Sequence, residues 1–501
     1  MQGCKGSAMS PDDYRLKRNL KSRHITMISI GGAIGTGLFL LSGEAVSLGG
    51  AGSAVCSYIF MGIVVYLLMS FLGEMATTLP LSGSFETYAS AYVDPALGFA
   101  LGWNYWLMSI ATVTAEIVAG SIIVSFWLPD ANAVCWSLLF LSLIFILNAF
   151  SARVYGESEF WFAGIKVFTI IIFIITGVLM IFGIIGGEAP GFSNICMIDN
   201  ESGKAGPFIG GMSSFLTVLF IAGWSFAGTE LIGITAGESE NPAVNIPKAT
   251  RAVFWRILAF YVCTIIVISF FIPFNDPNLL KTNTTDIAYS PFTMIFYRAG
   301  MAFAASFMNA IILTSVLSAG NSLMYASTRM LYAMACEGKA PKILAAVNRF
   351  SVPFWALLFN TLVACTAFFS STIGSGHIYT LLVNISGVTT FIAWFGIALC
   401  HYRFRKAYVL QGYSLERLPY RSRFYPYGQI AAMVVTVGLI FFANMWIFEE
   451  ENFTWFTFLS NYGIIPLFIG MYALYKKKYK TRWVAYKDID FSRIHMKGKP
   501  L

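Results

Sequence analysis

The chain has few charged residues and few of the features that carry enzyme chemistry. Asp, Glu, Lys and Arg make up 12% of its 501 residues, compared with roughly 25% in soluble proteins. It contains no Gly-x-Ser-x-Gly nucleophile turn and no phosphate-binding loop, and its four histidines lie in the tails or near the ends of apolar segments. We therefore expect no catalytic residues, no enzyme activity and no cofactor.

Disulfide and metal-binding patterns are also missing. The eight cysteines are scattered and never form a Cys-x-x-Cys pair, so we predict no disulfide framework and no metal site. We interpret them as small apolar residues packed between helices. Residues 1–24 are basic and lack the apolar core of a cleavable signal peptide, which predicts a basic N-terminal tail.

Long apolar segments dominate the chain, in which 57% of the residues are hydrophobic. About 20 apolar residues are needed to cross the hydrocarbon core of a bilayer. Segments of this kind recur with little soluble sequence between them, which predicts an all-α integral membrane protein with twelve transmembrane helices. The predicted spans are 25–48, 53–79, 97–128, 133–150, 160–185, 212–237, 252–273, 303–335, 354–370, 378–402, 428–448 and 455–475.

The net charge of +8 is distributed in a way that predicts topology and not nucleic-acid binding. If the predicted spans are threaded in turn, only Lys204, Lys281 and Arg298 of the 33 Lys and Arg residues fall on the side opposite to the termini. Basic residues collect on the cytoplasmic side of a membrane. We therefore predict that both termini are cytoplasmic, including a basic C-terminal tail at 476–501.

Two glycine clusters interrupt corresponding spans. Gly31 to Gly37 lies within the first span, and Gly223 to Gly228 lies within the sixth. The correspondence predicts a repeat of five spans, 25–185 and 211–402, with 427–475 added as helices eleven and twelve. Because five is odd, the second copy starts on the opposite face of the membrane, so the repeat is inverted.

Broken helices at membrane depth predict a binding site. Irregular backbone leaves N–H and C=O groups unpaired, which is tolerated only where protein or a polar cavity satisfies them. The free amides of a half-helix attract an anion and the free carbonyls attract a cation, a combination that suits an amino-acid zwitterion. The alternative is that the glycines only allow close helix packing.

Four charged residues within or beside the predicted spans are candidates for function, since charge inside a membrane is costly. Glu116, near the middle of the third span, is either functional or a protonated, hydrogen-bonded core residue. Glu230 borders the second break and is either functional or a cap on the following half-helix. Glu238 stands beside a loop, which favours an exposed cytoplasmic position over gating, and Lys166 is either an internal charge or snorkels to the surface.

The chain resembles the amino acid transporter family of the amino acid-polyamine-organocation superfamily, and within it the bacterial lysine-specific permease branch. The resemblance extends from residue 16 to the twelfth span. Its motifs are 31–39 (GGAIGTGLF), 102–106 (GWNYW), 225–233 (SFAGTELIG), 237–242 (GESENP), 318–322 (SAGNS) and 325–329 (YASTR).

The resemblance implies a five-plus-five inverted repeat and proton-coupled amino acid uptake across the bacterial inner membrane by alternating access. It implies that the amides of Gly35, Thr36 and Gly37 hold the substrate carboxylate. It further implies that Lys166 replaces a sodium ion and that Glu230 serves proton coupling or side-chain recognition. The other implied positions are carbonyls near Ala33, Trp224 and Ala227, and pathway or gating residues Tyr105, Glu116, Glu238 and Asn321; Ser225 and Phe226 belong to the same motif.

Trp224 and Ser109 depart from the lysine-permease pattern, which has Phe and a bulky aromatic residue there. Trp224 could cover an aliphatic stem or a cationic head group, and Ser109 could enlarge the pocket. Lysine remains the first choice of substrate, followed by arginine, histidine or ornithine and then a neutral amino acid.

Other modes of action stay open at this point. The protein could exchange amino acids or act as an amino acid sensor, whereas a channel is disfavoured because no continuous polar stripe is present. The expected partners are an amino acid, protons and the lipid bilayer, with no nucleic acid, and a regulatory membrane partner is compatible with the sequence.

Overall fold

The computed structural model describes residues 18–32, 34–130, 132–185, 189–199, 203–280, 290–298, 300–369, 374–448 and 453–492. Residues 1–17 of the predicted N-terminal tail and 493–501 of the predicted C-terminal tail lie outside these ranges. Within them the chain is mostly helical. Its β-structure there is a two-stranded antiparallel ribbon formed by β1 (Ile198–Asp199) and β2 (Lys204–Ala205), together with one isolated bridge between Leu20 and Ser239.

The helices of the first part of the chain include both short segments and segments of 30 residues or more. They are α1 (Ser22–Gly31), α2 (Thr36–Phe39), α3 (Leu41–Thr78), α4 (Ser84–Tyr92), α5 (Pro95–Val124), α6 (Ala133–Ala149) and α7 (Ala152–Ile181).

The second part repeats this mixture of short and long helices. They are α8 (Gly211–Ser225), α9 (Leu231–Thr235), α10 (Pro242–Arg256), α11 (Cys263–Phe271), α12 (Pro277–Leu280), α13 (Pro291–Arg298), α14 (Ala302–Cys336), α15 (Phe354–Ala364), α16 (Ser375–Leu410), α17 (Tyr427–Phe442), α18 (Trp455–Tyr462) and α19 (Ile464–Tyr479).

Several helices are long and apolar enough to cross a membrane. Among the described residues these are Leu41–Thr78, Pro95–Val124, Ala152–Ile181, Phe303–Cys336 and His377–Leu410, and the pair α18 and α19, bent by 48°, makes a further candidate. Such helices satisfy their backbone hydrogen bonds internally, as a bilayer requires. The structure therefore agrees with the predicted all-α, multi-pass membrane protein.

One predicted span boundary is confirmed and another is wrong in detail. The predicted boundary between the first and second spans, 49–52, coincides with a kink within α3, because the backbone of Gly50 is not helical. Gly50 has φ +78°, and a Cβ atom there would lie 2.4 Å from the carbonyl oxygen of Pro207, so only glycine fits this reversal. The predicted span 252–273 begins within α10 and passes through a π-helical segment, Ile257–Val262, before α11.

Helix α5 lies at the centre of the helix packing, against α4, α14 and α16. Helix α1 packs on α7 and α10, and α3 packs on α8. Gly31 allows the contact with α7, because a Cβ atom at this position would lie 2.2 Å from Cβ of Ala163. For Gly31, the structure therefore supports the close-packing role that the sequence left open.

Substitution of Gly31 by Ala should force α1 and α7 apart. Overpacking of a tight contact costs about 1–3 kcal/mol, so we expect the midpoint of thermal unfolding in detergent, followed by tryptophan fluorescence, to fall by several degrees. Gly438→Ala in α17 is the matched control, since nothing lies within 4 Å of the added Cβ atom. Equal midpoints for the two variants would contradict the packing role of Gly31.

Candidate functional site

The first helix is interrupted where the glycine cluster predicts. Helix α1 ends at Gly31 and α2 begins at Thr36, and Ile34 and Gly35 between them are not helical. Ala33, one of the predicted binding residues, lies outside the described residues. The interruption exposes the carbonyl end of one helix and the amide end of another at the same point.

Two buried cations satisfy the carbonyl end of α1. The Nζ atom of Lys166 donates to the carbonyl oxygen of Gly31 at 2.9 Å, and the guanidinium of Arg256 donates to the carbonyl oxygen of Ser29. Both side chains are almost fully buried, so Lys166 does not snorkel. Positive charge at a helix C-terminus is favourable because it faces the negative end of the helix dipole.

A buried carboxylate satisfies the amide end of α2. Oε1 of Glu116 accepts hydrogen bonds from the backbone N–H of Thr36 at 3.3 Å and from its hydroxyl at 3.1 Å. Oε2 of Glu116 has no hydrogen-bond partner in the described part of the chain. A Cβ atom on Gly35 would lie 2.5 Å from Oε1, so glycine lets the carboxylate reach the backbone.

The second interruption lies slightly later than predicted. Helix α8 continues through Gly223 to Ser225, and α9 begins at Leu231. The irregular segment is therefore 226–230 and not 223–228, and it contains Gly228 with φ +89°. Glu230 occupies the N-cap position of α9, but its side chain makes no capping hydrogen bond to that helix; its Oε1 atom accepts from the N–H of Gly228 at 3.0 Å.

The Glu230 carboxyl group is fully buried among aromatic side chains. Nε1 of Trp394, a residue that we did not select from the sequence, donates to Oε2 at 3.3 Å. The hydroxyl of Tyr105 is close enough to interact electrostatically with Glu230. The hydroxyls of Tyr105 and Ser109 are buried and have no hydrogen-bond partner among the described residues.

The helices that flank the two interruptions, α2 and α8, contact each other directly. Oγ of Ser225 donates to the carbonyl oxygen of Gly37 at 2.9 Å, and a Cβ atom on Gly37 would lie 2.6 Å from Cα of Ser225. Phe226 packs beside this contact against Tyr58 and Tyr261, with ring centroids 5.9 and 4.5 Å away. The two broken helices are therefore closed on each other.

A small cavity remains at this junction. Its volume is about 20 Å³, which is room for a water molecule but not for an amino acid. An amino acid could occupy this cavity only if the surrounding helices separated. The lining residues are Gly32, Gly35, Gly37, Thr112, Glu116, Trp224, Ser225, Ala227, Ala319 and Leu323.

Predicted site residues thus fall into two groups that α5 connects. Glu116 lines the cavity, whereas Tyr105 and Ser109 lie beside Glu230. Positions 105, 109, 112 and 116 follow one face of α5 at helical spacing. Trp224 closes one wall of the cavity and donates from Nε1 to the hydroxyl of Ser386 at 2.6 Å.

A buried ion pair, Lys166 and Glu159, was not predicted. Nζ of Lys166 lies 3.9 Å from Oε1 of Glu159, and both side chains are fully buried. Glu159 accepts from the hydroxyl of Ser318 at 2.5 Å and from Nδ2 of Asn321 at 3.4 Å. The predicted fifth span began one residue after Glu159; its spacing of seven residues from Lys166, two helical turns, is the signal that would have revealed it.

The predicted exposed position of Glu238 is wrong. Its side chain is 1% exposed, and Oε1 accepts from Nε of Arg329 at 2.9 Å and from the hydroxyl of Tyr325 at 2.7 Å. The guanidinium of Arg329 also lies over the ring of Tyr325, 3.9 Å from its centroid. The loop that follows Glu238 suggested solvent, but α14 covers the side chain.

Replacing Glu238 by Gln should destabilise the protein strongly, because it leaves the buried Arg329 without its counter-ion. Breaking a buried pair in this way costs about 3–5 kcal/mol, which thermal unfolding in detergent should detect. Glu416→Gln is the control, since this side chain is exposed in the segment between α16 and α17 and exposed charges contribute little to stability. The double variant Glu238→Leu/Arg329→Met should be more stable than Glu238→Gln. If Glu238→Gln lost no stability and the double variant gained none, the ion pair would be excluded as a stabilising contact.

Comparison with known proteins agrees with the resemblance found in the sequence. Residues 24–487 match the model of the amino acid permease family. The chain is 51% identical to the lysine-specific permease LysP of Escherichia coli (strain K12) over 477 residues, which cover 95% of this chain and 96% of the relative.

Two proteins of Lactococcus lactis subsp. cremoris (strain MG1363) show similar identity. The lysine-specific permease LysP is 48% identical over 97% of this chain and 95% of its own length, and the histidine permease HisP is 47% identical over 96% and 98%. These relatives are transporters and not enzymes by name. With its apolar helices and its match over almost the whole length, the chain belongs to the amino acid permease family.

Proposed function

We propose that this protein imports a cationic amino acid, with lysine as the first candidate, together with protons and by alternating access. The main support is the high identity over nearly the whole chain to two relatives that are named lysine-specific permeases. The relative named histidine permease makes histidine the second candidate. Arginine and neutral amino acids follow.

The proposed topology has twelve spans in the bacterial inner membrane, with both termini in the cytoplasm. Its two inverted repeats cover 25–185 and 211–402, and 427–475 adds two helices. Helix α1 with α2, and α8 with α9, would be the corresponding broken helices. The support is that each pair is interrupted by non-helical backbone and that α2 and α8, which flank the two interruptions, meet at Gly37 and Ser225.

The proposed substrate site lies where the two breaks meet. The amides of Gly35, Thr36 and Gly37 would hold the substrate carboxylate, and carbonyl groups near Ala33, Trp224 and Ala227 would hold its ammonium group. The observation that supports this assignment is that a carboxylate, that of Glu116, already accepts a hydrogen bond from the N–H of Thr36.

Proton coupling would follow from competition between two carboxylates. If the substrate carboxylate takes the Thr36 amide while Glu116 is ionised, two negative charges share one small site and repel each other. A proton on Glu116 removes this repulsion. Glu230 is the second proposed proton carrier, because its carboxyl group accepts a hydrogen bond from the N–H of Gly228 within the other break.

The region between these two carboxyl groups would accommodate the substrate side chain. Ser109 lies on the same face of α5 as Glu116 and is much smaller than a bulky aromatic residue. Tyr105, Trp224, Phe226 and Asn321 complete the proposed pathway together with Ser225. Lys166 would act as a fixed internal cation at the end of α1, and Glu238 would act on the cytoplasmic side, where it pairs with Arg329.

Uptake of labelled lysine into proteoliposomes tests the proposal. We expect accumulation driven both by an inward proton gradient and by inside-negative voltage, which contributes about 2.3 kcal/mol per charge for each 100 mV. Competition by all twenty amino acids would identify the substrate, with lysine expected to compete best. Protein-free liposomes are the control.

Other results would point to the alternatives. Uptake that requires internal amino acid and ignores the proton gradient would indicate an exchanger. Binding of lysine without uptake or counterflow would indicate a sensor, and stronger competition by histidine would replace lysine as the substrate.

Glu116→Gln and Glu230→Gln should each reduce proton-driven accumulation by about tenfold or more, because each removes a carboxyl group that is proposed to carry the proton. A tenfold change corresponds to about 1.4 kcal/mol. Counterflow, which needs no net proton movement, should be retained by a variant that lost only coupling. Glu240→Gln is the control, since this side chain is exposed on the loop before α10. Normal accumulation in both site variants would refute their assignment.

A further inference from the structure

A second and much larger cavity lies beside the broken helices. Its volume is about 580 Å³, within the range of about 300–1,000 Å³ that is typical of small-molecule sites. Residues from α3, α8, α16 and α18 line it, including Glu44, Thr217, Tyr379, Asn384 and Ser460. The cavity therefore has room and hydrogen-bonding groups for a polar ligand.

Among the described residues, the lining of the cavity holds one carboxylate and no Lys or Arg side chain. Glu44 is half-buried in the lining, and its carboxylate has no hydrogen-bond or ion-pair partner among the described residues. Lys and Arg are absent from the described lining. His377 is the one side chain of that lining that carries an ionisable nitrogen. A negative group in a low-dielectric cleft raises the local concentration of cations. The chemistry of this cavity therefore matches a small organic cation.

The large cavity lies next to the central junction but is separate from it. Ile221 lines the large cavity, whereas Trp224 and Ser225 line the small one. Three to four residues of α8, about 5 Å of helix rise, separate them. Tyr379 also lines the large cavity, and its hydroxyl is close enough to Thr36 to interact with it. The partition between the two cavities is therefore thin.

The position of the cavity identifies the side from which a ligand would arrive. It lies where α8 and α16 begin and where α17 ends. The basic residues Arg403 and Arg405 lie near the opposite end of α16. Lys476 to Lys478 lie at the far end of α19, which follows α18 after a bend of 48°. In the proposed topology, those basic ends face the cytoplasm, so the cavity faces outward.

We propose that this cavity is an outer antechamber in which the Glu44 carboxylate binds the cationic group of an amino acid before it passes Tyr379 to the central site. The inference rests on the proposed import of a cationic substrate. It adds a binding step on the outer side that determines how efficiently cations are captured, and it makes Glu44 a specificity residue outside the central site.

The test compares lysine uptake by proteoliposomes that contain the wild-type protein with uptake by proteoliposomes that contain Glu44→Gln. Removing the charge should raise KM for lysine by about three- to tenfold with the maximal rate retained, since loss of a steering charge mainly slows capture. Glu44→Asp should restore a KM near that of the wild type. The inhibition constant of norleucine, which lacks the side-chain charge, should be the same in all variants.

Salt provides a second measurement, and its first part uses only the wild-type protein. The range of electrostatic attraction falls from about 30 Å at 0.01 M to about 3 Å at 1 M ionic strength, so KM of the wild type for lysine should rise with salt, and KM of Glu44→Gln should change less. Asp130→Asn is the matched control, because Asp130 is exposed in the segment between α5 and α6 and does not line the cavity.

The outcomes separate the antechamber from the proposed function. If the wild type transports lysine but Glu44→Gln keeps its KM and its salt dependence, the antechamber proposal is wrong and the import proposal stands. If the wild type transports no cationic amino acid, the import proposal itself is wrong. An equal rise of KM in Glu44→Gln and Asp130→Asn would also overturn the antechamber, because it would show only a general surface-charge effect.

Discussion

Backbone groups that leave a helix inside an apolar protein need partners, and this constraint organises the centre of the molecule. Between Gly31 and Thr36 the helix stops and starts again. The carbonyl end receives Lys166 and Arg256, and the amide end receives Glu116. Each of these charges would be costly alone in a low-dielectric environment. The interruption and the charges are stable only together.

This arrangement connects helices that are distant in the sequence. Lys166 belongs to α7, Arg256 to α10 and Glu116 to α5, and all three hold the ends of the same break. A movement of α1 or α2 must therefore exchange hydrogen bonds with three other helices. The small cavity at the junction has room only for water. An amino acid could therefore occupy it only after α1 or α2 had moved in this way.

Several buried carboxylates are paired with a cation inside the protein, and the carboxylate of Glu44 in the large cavity differs in this respect. Glu159 pairs with Lys166, Glu238 pairs with Arg329, and Glu74 pairs with Arg405. Pairing satisfies these groups within the protein and leaves them little capacity for a ligand. The carboxylate of Glu44 faces a cavity and has no such partner among the described residues, which is the physical basis for assigning it to an external cation.

The amino-acid sequence determined which segments are apolar and where the first helix breaks, and it located the second break to within a few residues, because apolar length and glycine clusters are local properties. It also placed Glu230 beside the second break and singled out Glu116 and Lys166 as charges inside apolar segments. It did not reveal Glu159, Arg256, Arg329 or Trp394 as their neighbours, and it misplaced Glu238 in solvent. Those relationships join positions such as Lys166 and Gly31, 135 residues apart. Only tertiary structure decided them, because the partner of a buried charge depends on which helices pack together and not on the composition of either helix.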